Sequence, residues 1–277
     1  MKKTMYNKEM IRLLNMNIYC EYLLHNKPPI IFIHGFVSSV YTFRRIIPFL
    51  SKHFSIIAID LPGFGRSVKS TSFIYSYENY GKLIAACIEH FQLDKVFLVG
   101  HSMGGQIALY TTKLVPDKID KLVLLSSSGY LDKAKRWKRY CSYLPFCEIA
   151  VNYVLKKRSV PDNLKNVFYD QSLITKDLIE EFGRPLKEKN FNKSMMRLLR
   201  YREGDLTSEQ LKSIDKPALL IWGREDKVVP FYIGMKLEDD LPDAKLIAYE
   251  KTGHLITEEK AEAVSKDIGT FFKRSNE

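Results

Sequence analysis

Six short apolar runs, each cut off by a turn, constrain this chain more than any other feature. They span residues 29–34, 54–60, 95–100, 121–125, 218–223 and 244–249. Each has the length of a strand, and none alternates apolar with polar side chains. Strands of this kind are covered on both faces, as in a parallel sheet flanked by helices. Between them lie stretches with helical character at 77–91, 104–114 and 258–272. The first carries Leu83, Ile84, Cys87 and Ile88 along one side. Residues 11–15 and 17–24 read as an antiparallel hairpin turning at Asn15-Met16-Asn17. The expectation is an α/β protein with a mostly parallel, doubly wound sheet of eight strands.

The strand rhythm breaks after Ser128 and resumes at Pro217. The stretch 130–206 has no clear buried strand and is rich in Tyr, Leu, Phe, Lys and Arg. It reads as several short helices broken at Pro145, Pro161, Gly183 and Pro185. Residues 1–129 and 207–277 are therefore expected to form the core, with 130–206 inserted between two of its strands.

The 277 residues suffice for one substantial core. Hydrophobic residues make up 45% and charged residues 27%, an ordinary globular balance. No apolar run approaches the ~20 residues that span a bilayer. The first ten residues lack the apolar stretch of a signal peptide, so a cytoplasmic location is expected. Cysteines 20, 87, 141 and 147 form no CxxC pair and have no His at zinc-ligand spacing. Cys141 and Cys147 are close enough in sequence for a disulfide, but reduced, buried thiols are the expected state. The formal charge of +11 is dispersed and lacks any nucleic-acid motif. Its densest part is 130–206, with 17 Lys/Arg against 10 Asp/Glu. A solvated basic face accounts for this better than an anionic membrane surface does.

Chemistry enters at Gly100-His101-Ser102-Met103-Gly104-Gly105. This is G-x-S-x-G directly after a buried strand and directly before a helix, the context that gives the motif meaning. A nucleophile on so sharp a turn crowds its neighbours, so small residues must stand two before and two after it. The helix N-terminus beneath Ser102 also favours developing negative charge. A serine hydroxyl needs a base, and the only histidine after Ser102 is His254. The acid that orients it belongs on a loop between them in sequence. The loop after the strand at 218–223 offers Glu225 and Asp226, and the residues alone leave both open. Backbone N–H groups of Met103 and Phe36 are the candidate oxyanion donors, with Gly35 allowing a tight turn there.

Together these residues resemble the α/β-hydrolase superfamily, in the subgroup of esterases, haloperoxidase-like enzymes, epoxide hydrolases and meta-cleavage C–C hydrolases. The likeness rests on His34-Gly35-Phe36, Asp60-Leu61-Pro62-Gly63-Phe64-Gly65-Arg66-Ser67, residues 100–105, Gly223 with Asp226 and Pro230, and Gly253-His254. The Gly223-x-x-Asp226-x-x-x-Pro230 spacing matches the family and selects Asp226 as the acid. The resemblance also implies that 130–206 is a helical cap. Epoxide hydrolases and haloalkane dehalogenases carry Asp where this chain has Ser102, so attack at an alkyl carbon is not expected. The loop 60–67 is shared by many activities and reads as structural.

The expected reaction is cleavage of carboxylic esters of small to medium acyl substrates through an acyl-enzyme on Ser102, with no metal or organic cofactor. Activity is expected to fall in acid as His254 takes a proton. Trp137, Tyr140, Tyr143, Leu144, Phe146, Tyr153, Phe168, Met195, Met196 and Leu199 are candidate pocket residues, most of them also candidates for the cap's own core. One alternative is hydrolysis of a carbon–carbon bond in a vinylogous diketone acid, which asks for a basic pocket residue such as Arg197 or Arg200. Another is a receptor-like protein that keeps the fold and binds a ligand.

Overall fold

The computed structural model describes residues 6–135, 137, 140, 142–143 and 160–273. Eight strands form one sheet: β1 (Asn7–Leu13), β2 (Met16–Leu23), β3 (Pro29–Ile33), β4 (Ser55–Ile59), β5 (Val96–His101), β6 (Ile119–Leu125), β7 (Ala218–Gly223) and β8 (Ala244–Tyr249). Their order is β1-β2-β4-β3-β5-β6-β7-β8. β1 and β2 pair antiparallel, as do β2 and β4, and every other pair is parallel. This is the α/β-hydrolase fold that the apolar runs and motifs predict.

The uniform apolarity of the strands has a direct structural cause. Alternate residues of each strand enter two separate cores. Ile31, Ile33, Leu98, Leu122, Leu124, Leu220 and Trp222 face the helices Tyr77–His90, Met103–Leu114 and Phe231–Asp240. Ile30, Phe32, Val99, Val123, Leu125 and Ile221 face the helix Ala261–Lys273 through Val264, Ile268 and Phe272. With both faces buried, most positions on a central strand take apolar side chains, and Ser55, His101 and Lys121 are exceptions.

The hairpin differs from expectation. Its first strand begins at Asn7, and the turn is Leu14-Asn15, both at positive φ (47° and 61°). A two-residue turn of this hand matches strand twist and pairs Leu13 with Met16. Residues 7–10 are exposed, so their strand leaves no apolar signature. The C-terminal helix is also divided, into Ile256–Glu259 and Ala261–Lys273. Pro161 is the second residue of the described helix Val160–Val167, and Pro145 lies outside the described residues.

Between β6 and β7 the described residues contain no strand. Helices Val160–Val167, Lys176–Gly183 and Phe191–Tyr201 lie there. Leu164, Phe168 and Leu178 form a small cluster with Leu255 of the core. Among the described residues no helix is long and apolar enough to cross a membrane. Cys20 and Cys87 are free and buried, and burial pushes the Cys87 thiol up to about 12. Cys141 and Cys147 lie outside the described residues.

Candidate active site

The strand order reverses between β3 and β5. β4 lies on one side of β3, and the chain then returns past β3 to start β5 on the other. Crevices open at the carboxyl ends of strands at such a reversal. The turns after β3 and β5 are thereby neighbours: a Cβ on Gly35 would stand 2.9 Å from the Ser102 Cβ.

Ser102 itself adopts φ 54° and ψ −121°, a region that side chains rarely occupy. Continuous packing holds it there. Its N–H donates to Leu125 O at 2.9 Å, and its carbonyl accepts from Gly105 and Ser128. Gly104 sits against β3 so tightly that a Cβ would stand 2.0 Å from Ile33 O. Met103 is the first residue of the following helix, so its N–H has no intrahelical acceptor.

His254 and Asp226 come together from two loops. His254 Nδ1–H donates to Asp226 Oδ2 at 2.7 Å, and both residues are buried. The second carboxylate oxygen accepts from Val228 N–H at 2.8 Å and Val229 N–H at 2.9 Å. These bonds fix the carboxylate plane, and through it the imidazole. Glu225 does something else: its Oε2 accepts from Thr252 N–H at 2.9 Å. The geometry therefore singles out Asp226 as the partner of His254. Ser102 and His254 share one neighbourhood, since the His101 and His254 rings lie 4.8 Å apart. No hydrogen bond joins the Ser102 hydroxyl to His254, whose described side-chain partner is Asp226.

Two further histidines brace the site without facing substrate. His34 donates from Nδ1 to Gly35 O at 2.7 Å and accepts Leu61 N–H on Nε2 at 2.9 Å, tying the turn after β3 to the loop after β4. His101 donates from Nε2 to the carbonyl of His254 at 3.0 Å. Burial pushes His34 down to about 4 and, with the neighbouring His254 adding to it, His101 down to about 3. Asp60 accepts N–H bonds from Val40 (2.7 Å) and Arg66 (2.6 Å), joining the same loops, while burial raises it to about 6. Among the described residues no group of His, Cys, Asp and Glu could hold a metal ion.

A cavity of about 370 Å³ opens beside Ser102. From the core come Phe36, Tyr77, Met103, Ser128, Val228 and Val229; from the insertion come Leu131, Ala134, Met195, Leu198, Leu199 and Arg202. Of the residues expected there, Met195 and Leu199 line it. Met196 is buried away from it, and Phe168 belongs to the small cluster with Leu255. Trp137, Tyr140 and Tyr143 are exposed, and Leu144, Phe146 and Tyr153 lie outside the described residues.

The basic candidates are corrected likewise. Arg197 is turned to the carbonyls of Phe73 and Ser72, at 2.9 and 2.8 Å. Arg200 bonds Ser142 and lies 4.2 Å over the Tyr143 ring. Among the described residues, Arg202 is the arginine that lines the cavity. Tyr77, Ser128 and Arg202 were not legible as site residues, because no local motif marks them.

Comparison with known proteins finds hydrolases among those similar to this chain. The family model described as "alpha/beta hydrolase fold" matches residues 28–146, and one described as "TAP-like protein" matches 200–277. An uncharacterized hydrolase of Bacillus subtilis, YugF, is 44% identical over 259 residues, covering 93% of this chain and 95% of that protein. A 2-hydroxy-6-oxononadienedioate/2-hydroxy-6-oxononatrienedioate hydrolase of Comamonas testosteroni is 30% identical over 239 residues, covering 81% and 79%. Among solved structures, an esterase from Exiguobacterium antarcticum superposes with a TM-score of 0.80 at 20% identity, over 96% of this chain and 99% of that one.

Proposed function

The chain belongs to the α/β-hydrolase superfamily, and from that premise we propose that it is a serine hydrolase that cleaves carboxylic esters of small to medium acyl groups. The observation that carries this reading is the buried 2.7 Å bond from His254 to Asp226, on a loop hydrogen-bonded to the residue preceding Ser102. The residues 130–206 act as the cap over the reacting centre.

In this reading Ser102 attacks the ester carbonyl while His254 Nε2 takes its proton. Asp226 keeps the imidazole in the tautomer with Nδ1 protonated and stabilises the imidazolium that forms. The N–H groups of Phe36 and Met103 receive the oxyanion. The alcohol departs with the proton held by His254, leaving an acyl group on Ser102. Water, deprotonated by the same imidazole, attacks this acyl-enzyme and releases the acid. The largely apolar cavity suits an acyl or alkyl chain.

Carbon–carbon bond hydrolysis is the second reading. It draws on Arg202 at the cavity and on the named activity of the Comamonas testosteroni relative. Assay of p-nitrophenyl butyrate against a meta-cleavage ring-fission product, with wild type and Ser102→Ala, separates the two. Turnover of the ester that depends on Ser102 is the expected result. Turnover of the ring-fission product alone replaces the first reading by the second. Equal labelling of wild type and Ser102→Ala by a fluorophosphonate probe would remove both and favour a receptor-like protein.

A further inference from the structure

Backbone and side-chain bonds tie the loop of His254 to the inserted segment. His254 N–H and Leu255 N–H both donate to the carbonyl of Val167, at 2.8 and 3.3 Å. The helix Val160–Val167 thus ends on the backbone of the base. Glu259 joins the same two parts a second time. Its Oε1 accepts Gly253 N–H at 2.8 Å, and its Oε2 accepts Tyr169 N–H and Asp170 N–H, both at 3.0 Å. The contact is close: a Cβ on Gly253 would stand 2.6 Å from Val167 O and 2.8 Å from Tyr169 N. The His101 ring also holds the His254 carbonyl, at 3.0 Å.

We propose that Glu259 is a positioning residue that couples the docking of residues 167–170 to the placement of the His254 imidazole. The inference rests on the serine hydrolase reading. Asp226 is the side-chain tether of the imidazole, so the position of Nε2 depends on the backbone at 253–255. That backbone is set by a segment of the insertion, and the insertion also supplies Met195, Leu199 and Arg202 to the cavity. A carboxylate accepting three N–H bonds is a strong clamp. Its removal leaves one part-buried donor unpaired beside the base and releases two exposed donors on the insertion to water. Misplacing a catalytic group by about 1 Å costs about 10²-fold in rate.

The test uses the full chain with Glu259→Ala, Glu259→Gln and a control, Glu181→Ala. Glu181 pairs with Arg66 and Arg184, so its loss loosens the insertion without touching residues 253–259. The first readout is the low-field proton resonance of His254 Nδ1–H in its bond to Asp226, which needs no substrate. The second is kcat and KM on p-nitrophenyl butyrate. Glu259→Ala is expected to shift or broaden the resonance and lower kcat by about 30–100-fold, with KM within about threefold. Glu259→Gln keeps one carbonyl acceptor and should recover to within about tenfold of wild type. Glu181→Ala should leave the resonance in place and kcat within about threefold.

A wild-type resonance with kcat within twofold in Glu259→Ala overturns the proposal. So does a Glu181→Ala protein whose resonance moves as far as that of Glu259→Ala. Should Glu259→Ala not fold, hydrogen exchange of the wild type decides. The amides of Gly253, Tyr169 and Asp170 should open together, and unrelated protection among them overturns the coupling. If no ester is turned over, the functional reading fails while the resonance and exchange comparisons still decide this one.

Discussion

The sheet and the 181–188 part of the inserted segment are held by different forces. Beneath the site, β3 to β7 bury whole Ile, Leu, Val and Trp side chains, and Trp222 is enclosed with its indole N–H on Val229 O at 2.9 Å. The insertion meets the core in two ways: Phe191, Met195 and Leu198 enter the same apolar cluster as the core helices, while the segment 181–188 is held by charge. Arg66 pairs with Glu181 at 3.1 Å, Lys69 with Glu188 at 2.6 Å, and Arg184 donates to Gly65 O at 3.2 Å. Close-packed apolar contact admits one geometry, whereas partly exposed ion pairs are weak and screened by salt. The groups proposed to do chemistry stand on the first kind of support. So do Met195 and Leu198 of the cavity wall, whereas the second kind holds the segment 181–188.

The comparison is tested most severely at Ser102. Ser102→Ala should lower ester kcat/KM by about 10⁴-fold or more, with little change in thermal stability, because a small hydroxyl leaves an open turn. Retained turnover would move the chemistry to another group. Asp226→Asn should lower kcat by about 10³–10⁴-fold, since an amide facing Nδ1 favours the wrong tautomer. In the same assay Glu225→Gln should matter far less, because Glu225 holds Thr252 N–H and not the imidazole. Equal losses in the two variants would undo the choice between these neighbours.

Stability separates the regions next. Trp222→Ala should cost about 3–5 kcal/mol in urea unfolding, as a large cavity opens in the core. A smaller effect follows from the buried histidines. The unfolded chain protonates them near the usual 6.5, whereas the folded chain holds His34 down to about 4 and His101 to about 3. In that window the unfolded state binds more protons, so stability is lost as pH falls below 6.5. Asp60, raised to about 6, acts in the opposite sense below that pH, but as one group against two. The urea midpoint should be lower at pH 5 than at pH 7, and His34→Gln should flatten the decline. An unchanged slope would show that His34 is not held neutral. The smallest effect belongs to the insertion: Glu181→Ala should cost less than about 1 kcal/mol, vanishing in concentrated salt.

Much of the architecture was legible because its signals are local. A strand buried on both faces is mostly apolar, so β3 to β7 could be read from their apolar runs. The turn at Ser102 demands glycine by steric contact, and its neighbours in sequence are its neighbours in space. The polar strand at residues 7–10 gave no such signal, because an exposed edge does not select side chains. Trp137, Tyr140 and Tyr143 misled for a related reason: an aromatic side chain does not announce whether it will be covered.

By itself, then, the order of residues determined the sheet, the nucleophile turn and a histidine with two carboxylates to choose from, since each follows from contacts a few residues long. The family spacing chose Asp226 of those two, and only the folded chain decided that Arg202 and not Arg197 or Arg200 reaches the cavity, and that Glu259 binds the base's loop to the insertion. Those choices depend on the rotation of a loop or helix set by packing from distant segments, and a shift of one residue along a helix turns a side chain by about 100°.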